Sequence, residues 1–431
     1  MPNNSSSNLS FFDSMSSNSR RESGSTRLEA YQVEGRQDFG YQLATLDVDQ
    51  LISTDKVLDR YDRAKSEMGR SAGPDGLRLE ILHRSDVAKT VKAIVKQIKA
   101  GTFITTEPRL VQHPKPSGNG TRDLRIFNVC ERLVASSANE ILTQLISPCI
   151  HRMFHGYLTD LGTSTLFSDI FHYLTRNNSS RNIYCTELDI RKAFDEIQVA
   201  AVRQALLALS VPPNTVETVL TLSGAKRNTV GLPQGNALCP ILFTATVCHC
   251  LVGLGSREHN EKADPMPIIY ADNFCYLSKS ELKMRELIDC HTGKLATTGL
   301  EWGPRELPKN IKKGEIASVM GTLISIEGSK IMFRMSSKTV IKARGTYKAS
   351  IAEVDPARAA RERLISIVNQ WGHIAATTGD DELRSILESI TNVKGIEQPD
   401  LRVIVSAWRI AGNNWLQKHT IRHTVPNTSW D

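Results

Sequence analysis

No apolar run in this chain approaches the roughly 20 residues that a helix needs to span a bilayer, which excludes a helical membrane protein. The N-terminal stretch also lacks the apolar core of a secretory signal, so a cytoplasmic protein is expected. Cysteine is sparse, with eight scattered along 431 residues, and free thiols without disulfides are expected. The one tight cluster, Cys248-His249-Cys250, sits in an apolar helical run where successive side chains point in different directions. Core packing accounts for it better than zinc. What remains is 40% hydrophobic and 23% charged residues, the balance of a soluble globular chain with enough length for about two to four subdomains. A formal net charge of +7 and a pI near 8.9 permit binding to nucleic acid without proving it.

Residues 1–30 are rich in Ser and Asn and cannot bury enough apolar surface to offset their ordering entropy, so a disordered tail is expected. From Leu51 to Gly101 the pattern is helical around one loop, Ser71 to Gly76, with Val87, Val91, Ile94, Val95 and Ile98 at helical spacing. Two strand-like runs, Arg109-Leu110-Val111 and Leu124-Arg125-Ile126, then bracket a basic, Gly-rich loop from His113 to Arg122. A hairpin with Lys115 and Arg122 on its two arms could clamp a triphosphate, since Lys supplies a compact charge and Arg a planar fork. Taken in isolation, a solvated basic loop is the simpler reading of this stretch. A helix from Val129 to Ile150, a loop containing Gly156-Tyr157 and Gly162, and a further helix lead to Asn182-Ile183-Tyr184-Cys185, the entry to a strand. Leu206 to Leu222 is helical with a break at Pro212-Pro213, and the Gly/Pro loop Val230 to Pro240 feeds an apolar helix.

Two stretches carry the chemistry. Ile268 to Leu277 has β-prone runs on either side of a small polar turn, a β-hairpin pattern that presents Asp272 beside Asn273. Upstream, Thr186 to Asp195 ends a strand on Asp189. Carboxylates brought together from separate strands can hold two Mg²⁺ ions, the arrangement used for nucleotidyl transfer. Beyond them come a helix from Leu282 to Leu295, the stretch Gly299-Leu300-Glu301-Trp302, the basic run Lys309 to Lys313, and a strand-like run from Ala317 to Ile324. The last hundred or so residues repeat apolar positions at helical spacing, as a small bundle does. Its Arg358, Arg361, Arg363, Arg402 and Arg409 could track a duplex backbone, or simply cover solvated helix faces.

Taken in order, these stretches resemble a reverse transcriptase of the bacterial group-II-intron-like lineage, over about Ser71 to Ile324. The segment Lys115-Pro116-Ser117-Gly118 with Arg122 and Arg132 is similar to the fingers, Gly156-Tyr157 with Gly162 to the loop before the palm, and Asp189 to Asp195 to the first catalytic motif. Pro233-Gln234-Gly235 followed by Pro240 is similar to the second, and Tyr270-Ala271-Asp272-Asn273 to the third. In the third the family normally has a second Asp where Asn273 stands. Gly299-Leu300 and Met320-Gly321 resemble the two motifs that follow.

The resemblance implies an α+β right-hand polymerase. Residues 31–180 would form the fingers and the start of the palm, 181–328 a palm of antiparallel sheet and helices, and 329–431 a helical thumb-like domain. It implies metal ligation by Asp189 and Asp272 with the Ile190 carbonyl, and Mg²⁺ or Mn²⁺ as cofactor. It gives Lys115 and Arg122 to the nucleotide phosphates, and Phe194 to the ring that excludes a ribose 2′-hydroxyl. Gln234 and Gly235 would contour the nucleotide pocket and Tyr270 would meet the primer terminus. An RNA template, a DNA product and deoxynucleotides would be the partners, with a noncoding RNA and a partner protein or second copy beside them. Phe194 and the Pro-Gln-Gly run argue against an RNA-dependent RNA polymerase. With little chain after the bundle for an appended endonuclease, a compact stand-alone phage-defence enzyme is expected, with retron enzymes and intron maturases as neighbours. Asn273 keeps a second class open, a non-catalytic module that binds RNA or a partner.

Overall fold

The computed structural model describes residues 40–67, 71–114, 121–254, 263–396 and 398–420. Lys115 and residues 116–120, together with the N-terminal tail expected over residues 1–30, lie outside these. The chain folds around a four-stranded antiparallel sheet in the order β4-β5-β3-β6. Its strands are β3 (Tyr184–Asp189), β4 (Met266–Tyr270), β5 (Asn273–Ser278) and the two-residue edge β6 (Lys309–Asn310). Residues 153–155 add a further extended segment along β4. Ile269 N–H donates to the Met153 carbonyl at 2.6 Å, and His155 N–H to that of Ile269 at 2.8 Å.

Because side chains alternate across a strand, the sheet separates two apolar cores. One face carries Leu188, Ile269, Phe274 and Tyr276. It packs on helices α1 (Thr54–Glu67), α2 (Arg84–Lys99), α3 (Val129–Ile146), α5 (Val199–Ala208), α6 (Pro213–Leu222), α7 (Cys239–Val252) and α8 (Glu281–Ala296). The expected helical stripe of α2 is the stripe that is buried: Val87, Val91, Ile94, Val95 and Ile98. The break expected at Pro212-Pro213 within the helical stretch from Leu206 to Leu222 separates α5 from α6, since Pro213 fits a first turn. The hairpin expected around the basic loop is present as β1 (Arg109–Pro114) paired with β2 (Thr121–Ile126), with His113 opposite Arg122.

The other face carries Cys185, Ile268, Cys275 and Leu277. Against it lie α4 (Thr163–Arg176) and a second sheet of β7 (Ala317–Val319), β8 (Thr322–Glu327) and β9 (Lys330–Met335). The C-terminal helices complete this core: α9 (Ser337–Lys348), α10 (Pro356–Gln370), α11 (Gly372–Thr377), α12 (Asp380–Thr391) and α13 (Leu401–Thr420). The run 317–324, read from sequence as one strand, is two. Met320 and Gly321 both have positive φ (48° and 79°) and turn the chain back on itself. A Cβ on Gly321 would stand 2.2 Å from the Thr339 hydroxyl, so this turn needs glycine twice over.

An aromatic cluster ties α4 to the C-terminal helices. His373 of α11 stacks on Phe167 of α4, with centroids 3.9 Å apart, and Phe333 and Trp415 close the group. Trp415 donates to the Ser164 carbonyl at 3.2 Å. The expected segment boundaries fall between α4 and β3 and at the β8–β9 turn, and the second core runs across both. Several of the arginines expected to face a duplex are engaged within the bundle. Arg358 pairs with Glu362 at 2.9 Å and Arg363 with Glu353 at 2.5 Å. Arg409 holds Asp380 together with the carbonyls of Ala375 and Thr378.

Candidate active site

The two carboxylate stretches meet at one end of the central sheet. Asp189, the last residue of β3, stands directly opposite Asn273, the first of β5. Tyr270 pairs with Asn273 across a two-residue turn, Ala271-Asp272, in which Ala271 takes a left-handed φ of 56°. Main-chain pairing continues one step past β3, where Ile190 N–H donates to the Asp272 carbonyl at 3.0 Å. The same segment is held from its other side. Gly303 N–H donates to the Asp189 carbonyl at 2.7 Å, and Arg191 N–H to that of Glu301 at 2.9 Å. Asp189 is exposed, Asp272 and Asn273 are half-buried, and Ile190 is buried. The Asn273 side-chain amide donates to the Asp272 carboxylate at 3.4 Å.

The turn rests on the loop after residues 153–155. A Cβ on Gly156 would lie 2.5 Å from the Ala271 nitrogen, so only glycine allows this approach. His155 anchors the loop from below, 2.9 Å from the Thr165 hydroxyl and 3.2 Å from the Asp169 carboxylate.

The other expected residues converge from two sides. The loop after Val230 is laced to the chain around Phe194, with Leu232 N–H donating to the Phe194 carbonyl at 2.7 Å. It is laced to β2 as well, where Arg125 N–H donates to the Gln234 carbonyl at 2.7 Å. Gly235, at a φ of 108°, would put a Cβ 2.6 Å from the Arg125 carbonyl oxygen. The Phe194 ring leans on Phe243 of α7, with centroids 4.9 Å apart. Arg122, on the strand beside that loop, is close enough to Asp272 to act on its charge. Burial pushes the Asp272 carboxyl up, and the Arg122 guanidinium draws it back down. Asp189, Asp272, Asn273, Tyr270, Phe194, Gln234, Gly235 and Arg122 thus come from chain segments that are bonded to one another or act on one another's charge.

Residues beyond the expected set join them. Glu187 stands two positions before Asp189, on the same face of β3. Burial pushes its carboxyl up to about 7; the Met320 N–H, donating at 2.9 Å, opposes this, and the charges of Asp189, Glu306 and Asp272 add to it. The period-2 spacing from Asp189 was the signal in the sequence that could have found it. Tyr157 has its ring centroid 6.3 Å from that of Tyr270. Its hydroxyl is pushed up first by burial and then by Asp272 and Tyr270, against Arg122. The sequence marks Tyr157 only as part of the loop with Gly156 and Gly162 and gives it no role; its place at the site depends on the pairing of residues 153–155 with β4.

Among the described residues, no group of three or more His, Cys, Asp and Glu side chains is gathered as a metal site. The donors present at the sheet end are two carboxylates and an amide oxygen. Such all-oxygen sets suit hard cations such as Mg²⁺ or Mn²⁺ rather than thiolate-seeking metals.

Residues 113–304 match the model of the reverse transcriptase (RNA-dependent DNA polymerase) family. The matched stretch takes in β2, the loop under the turn, both carboxylates and the Gly303 contact to Asp189. The match covers less than half of the chain; it supports a likeness to nucleic-acid polymerases over that stretch, and the mixed α+β architecture is consistent with it. No curated protein matches the chain. No helix among the described residues is long and apolar enough to cross a membrane.

Proposed function

We propose that the protein is an RNA-directed DNA polymerase, with fingers, palm and thumb-like parts, that works as a stand-alone phage-defence enzyme with a noncoding RNA. The observation that carries the chemistry is the sheet end where Asp189 faces Asn273 and Asp272 occupies the adjoining turn. In this reading Asp189 and Asp272, with the Ile190 carbonyl, hold Mg²⁺ or Mn²⁺. Metal bound there would lower the pKa of a primer hydroxyl and neutralise the triphosphate. Arg122 and Lys115 bind the phosphates, as charge-assisted contacts do. Phe194, braced by Phe243, excludes a 2′-hydroxyl from the nucleotide pocket, which Gln234 and Gly235 contour. Tyr270 meets the primer terminus. RNA template and DNA product lie in the basic surroundings that a net charge of +7 favours.

One observation favours a second reading. Asn273 supplies no charge, and its amide donates to Asp272, a contact that suits a fold retained without turnover. The protein would then be a non-catalytic module for RNA or a partner chain. Asn273→Asp separates the two. The polymerase reading expects measurable synthesis by the wild type on a primed RNA template, and synthesis by the variant at lower Mg²⁺. If both forms are silent with their co-purified RNA present, across Mg²⁺ and Mn²⁺, the binding-module reading replaces it.

A further inference from the structure

We propose that Tyr157 is a further substrate-contacting residue, forming with Tyr270 an aromatic shelf for a nucleoside at the reaction centre. This deepens the polymerase reading and rests on it. Tyr157 takes a left-handed φ of 62°, which a bulky side chain adopts only where its surroundings impose it. The imposing contacts are those that hold the loop to the carboxylate turn: the pairing of residues 153–155 with β4, the close approach of Gly156 to Ala271, and the His155 anchor. A loop fixed this firmly would ordinarily bury its aromatic residue, yet 44% of the Tyr157 surface stays exposed. The ring stands beside Tyr270, tilted by 41°, and the charges of both Asp272 and Arg122 reach it. It therefore lies within electrostatic reach of both the Asp272 carboxylate and the cation assigned to the phosphates. A nucleoside brought to this point offers a flat face, and an aromatic ring stacks on any base. That face could belong to the primer-terminal nucleotide or to the incoming one.

The test uses the full chain with a primed RNA template whose primer ends in 2-aminopurine, and two variants. Tyr157→Phe keeps the ring. Tyr157→Asn removes it and tolerates the left-handed backbone; circular dichroism checks that it folds. Stacking predicts fluorescence quenching with the wild type and Tyr157→Phe and loss of quenching with Tyr157→Asn, along with a rise of about tenfold to a hundredfold in KM for the primed template. If the incoming nucleotide is the one held, quenching is indifferent to the ring and the nucleotide KM rises instead. Either result supports the shelf. A fall in kcat with both KM values unchanged would make Tyr157 a support of the Asp272 turn and overturn the proposal, as would no change in quenching or either KM. Ring-dependent quenching without extension by the wild type would sink the polymerase reading and leave the contact standing. Absence of both binding and extension would remove the two together.

Discussion

Acid should loosen the joint between α4 and the C-terminal helices through one residue, His373. Its imidazole is buried, stacked on Phe167, bordered by Phe333, Trp371 and Trp415, and 3.2 Å from the Thr322 hydroxyl. Burial holds it neutral down to about 3, against an ordinary value of 6.5. The unfolded chain therefore takes up a proton that the folded chain refuses. This contribution to stability is fully present above 6.5 and is lost as pH falls from 6.5 towards 3. At roughly 1.4 kcal/mol per pH unit, the loss between pH 7.5 and pH 5 is about 2 kcal/mol, a large part of a typical 5–15 kcal/mol.

The assay is urea unfolding of the wild type and His373→Gln at both pH values, followed by tryptophan fluorescence. The wild type should lose about 2 kcal/mol more than the variant. The comparison must be a difference, because other groups move as well. His291, lowered to about 4 by burial and then by Lys294, loses stability in the same direction. Glu187 runs the opposite way: with its carboxyl raised to about 7, its contribution is complete below 4.5 and is lost as pH rises through 7. Both groups are present in both proteins and cancel. Equal losses for the wild type and the variant would mean that His373 is not held neutral, and the account of this joint would be wrong.

Three further outcomes follow from the site, the first two of them under the polymerase reading. Gly156→Ala should cut polymerase activity at least tenfold while circular dichroism stays near wild type, because the new Cβ, 2.5 Å from the Ala271 nitrogen, displaces the turn that carries Asp272. Phe194→Val should raise ribonucleotide use relative to deoxynucleotide use in single-nucleotide extension; a wild type that already accepts both sugars equally would remove the gate. Glu187→Ala should lower stability by about 1–3 kcal/mol in urea unfolding at pH 5, where the contribution of its raised carboxyl is still largely present, since it leaves the Met320 N–H without its acceptor, and Glu187→Gln, which keeps an acceptor, should recover most of that loss.

The parts of this molecule that were legible from sequence are those that local pattern specifies. The hairpin from Ile268 to Leu277 could be read because its polar turn interrupts two β-prone runs, and α2 because its apolar residues keep a helical period. The β7–β8 pair was harder. Met320 is an apolar residue in a left-handed turn, with apolar residues on either side, so the run 317–324 reads as continuous. Arg409 reads as a solvated cation, yet it serves the carbonyls of Ala375 and Thr378 about 30 positions earlier. The site divides in the same way. Asp189, Asp272 and Asn273 announce themselves by residue type at a strand end and a turn. The loop of Gly156 and Tyr157 can be picked out, but its docking under the turn, like the Glu187–Met320 contact, depends on which segments meet, and residue type alone carries no sign of that.

Asn273 at the turn has an electrostatic logic in this setting. A carboxylate at position 273 would face Asp189 across the ladder, next to Asp272 and close to Glu187, whose acidity Asp189 and Asp272 already weaken. Like charges in a half-buried corner raise one another's pKa, so a further carboxylate would repel its neighbours until a cation arrived. Asn273 removes that repulsion and donates to Asp272 instead. Arg122 acts on the same carboxylate from β2. The corner is therefore closer to electrostatic balance than one with two adjacent aspartates, and under the polymerase reading its pull on a divalent ion would be weaker for the same reason. Under the polymerase reading the missing charge must come from the nucleotide triphosphate, which makes metal and nucleotide bind as a pair. The apparent Mg²⁺ requirement should then fall as nucleotide concentration rises, and Asn273→Asp should flatten that dependence.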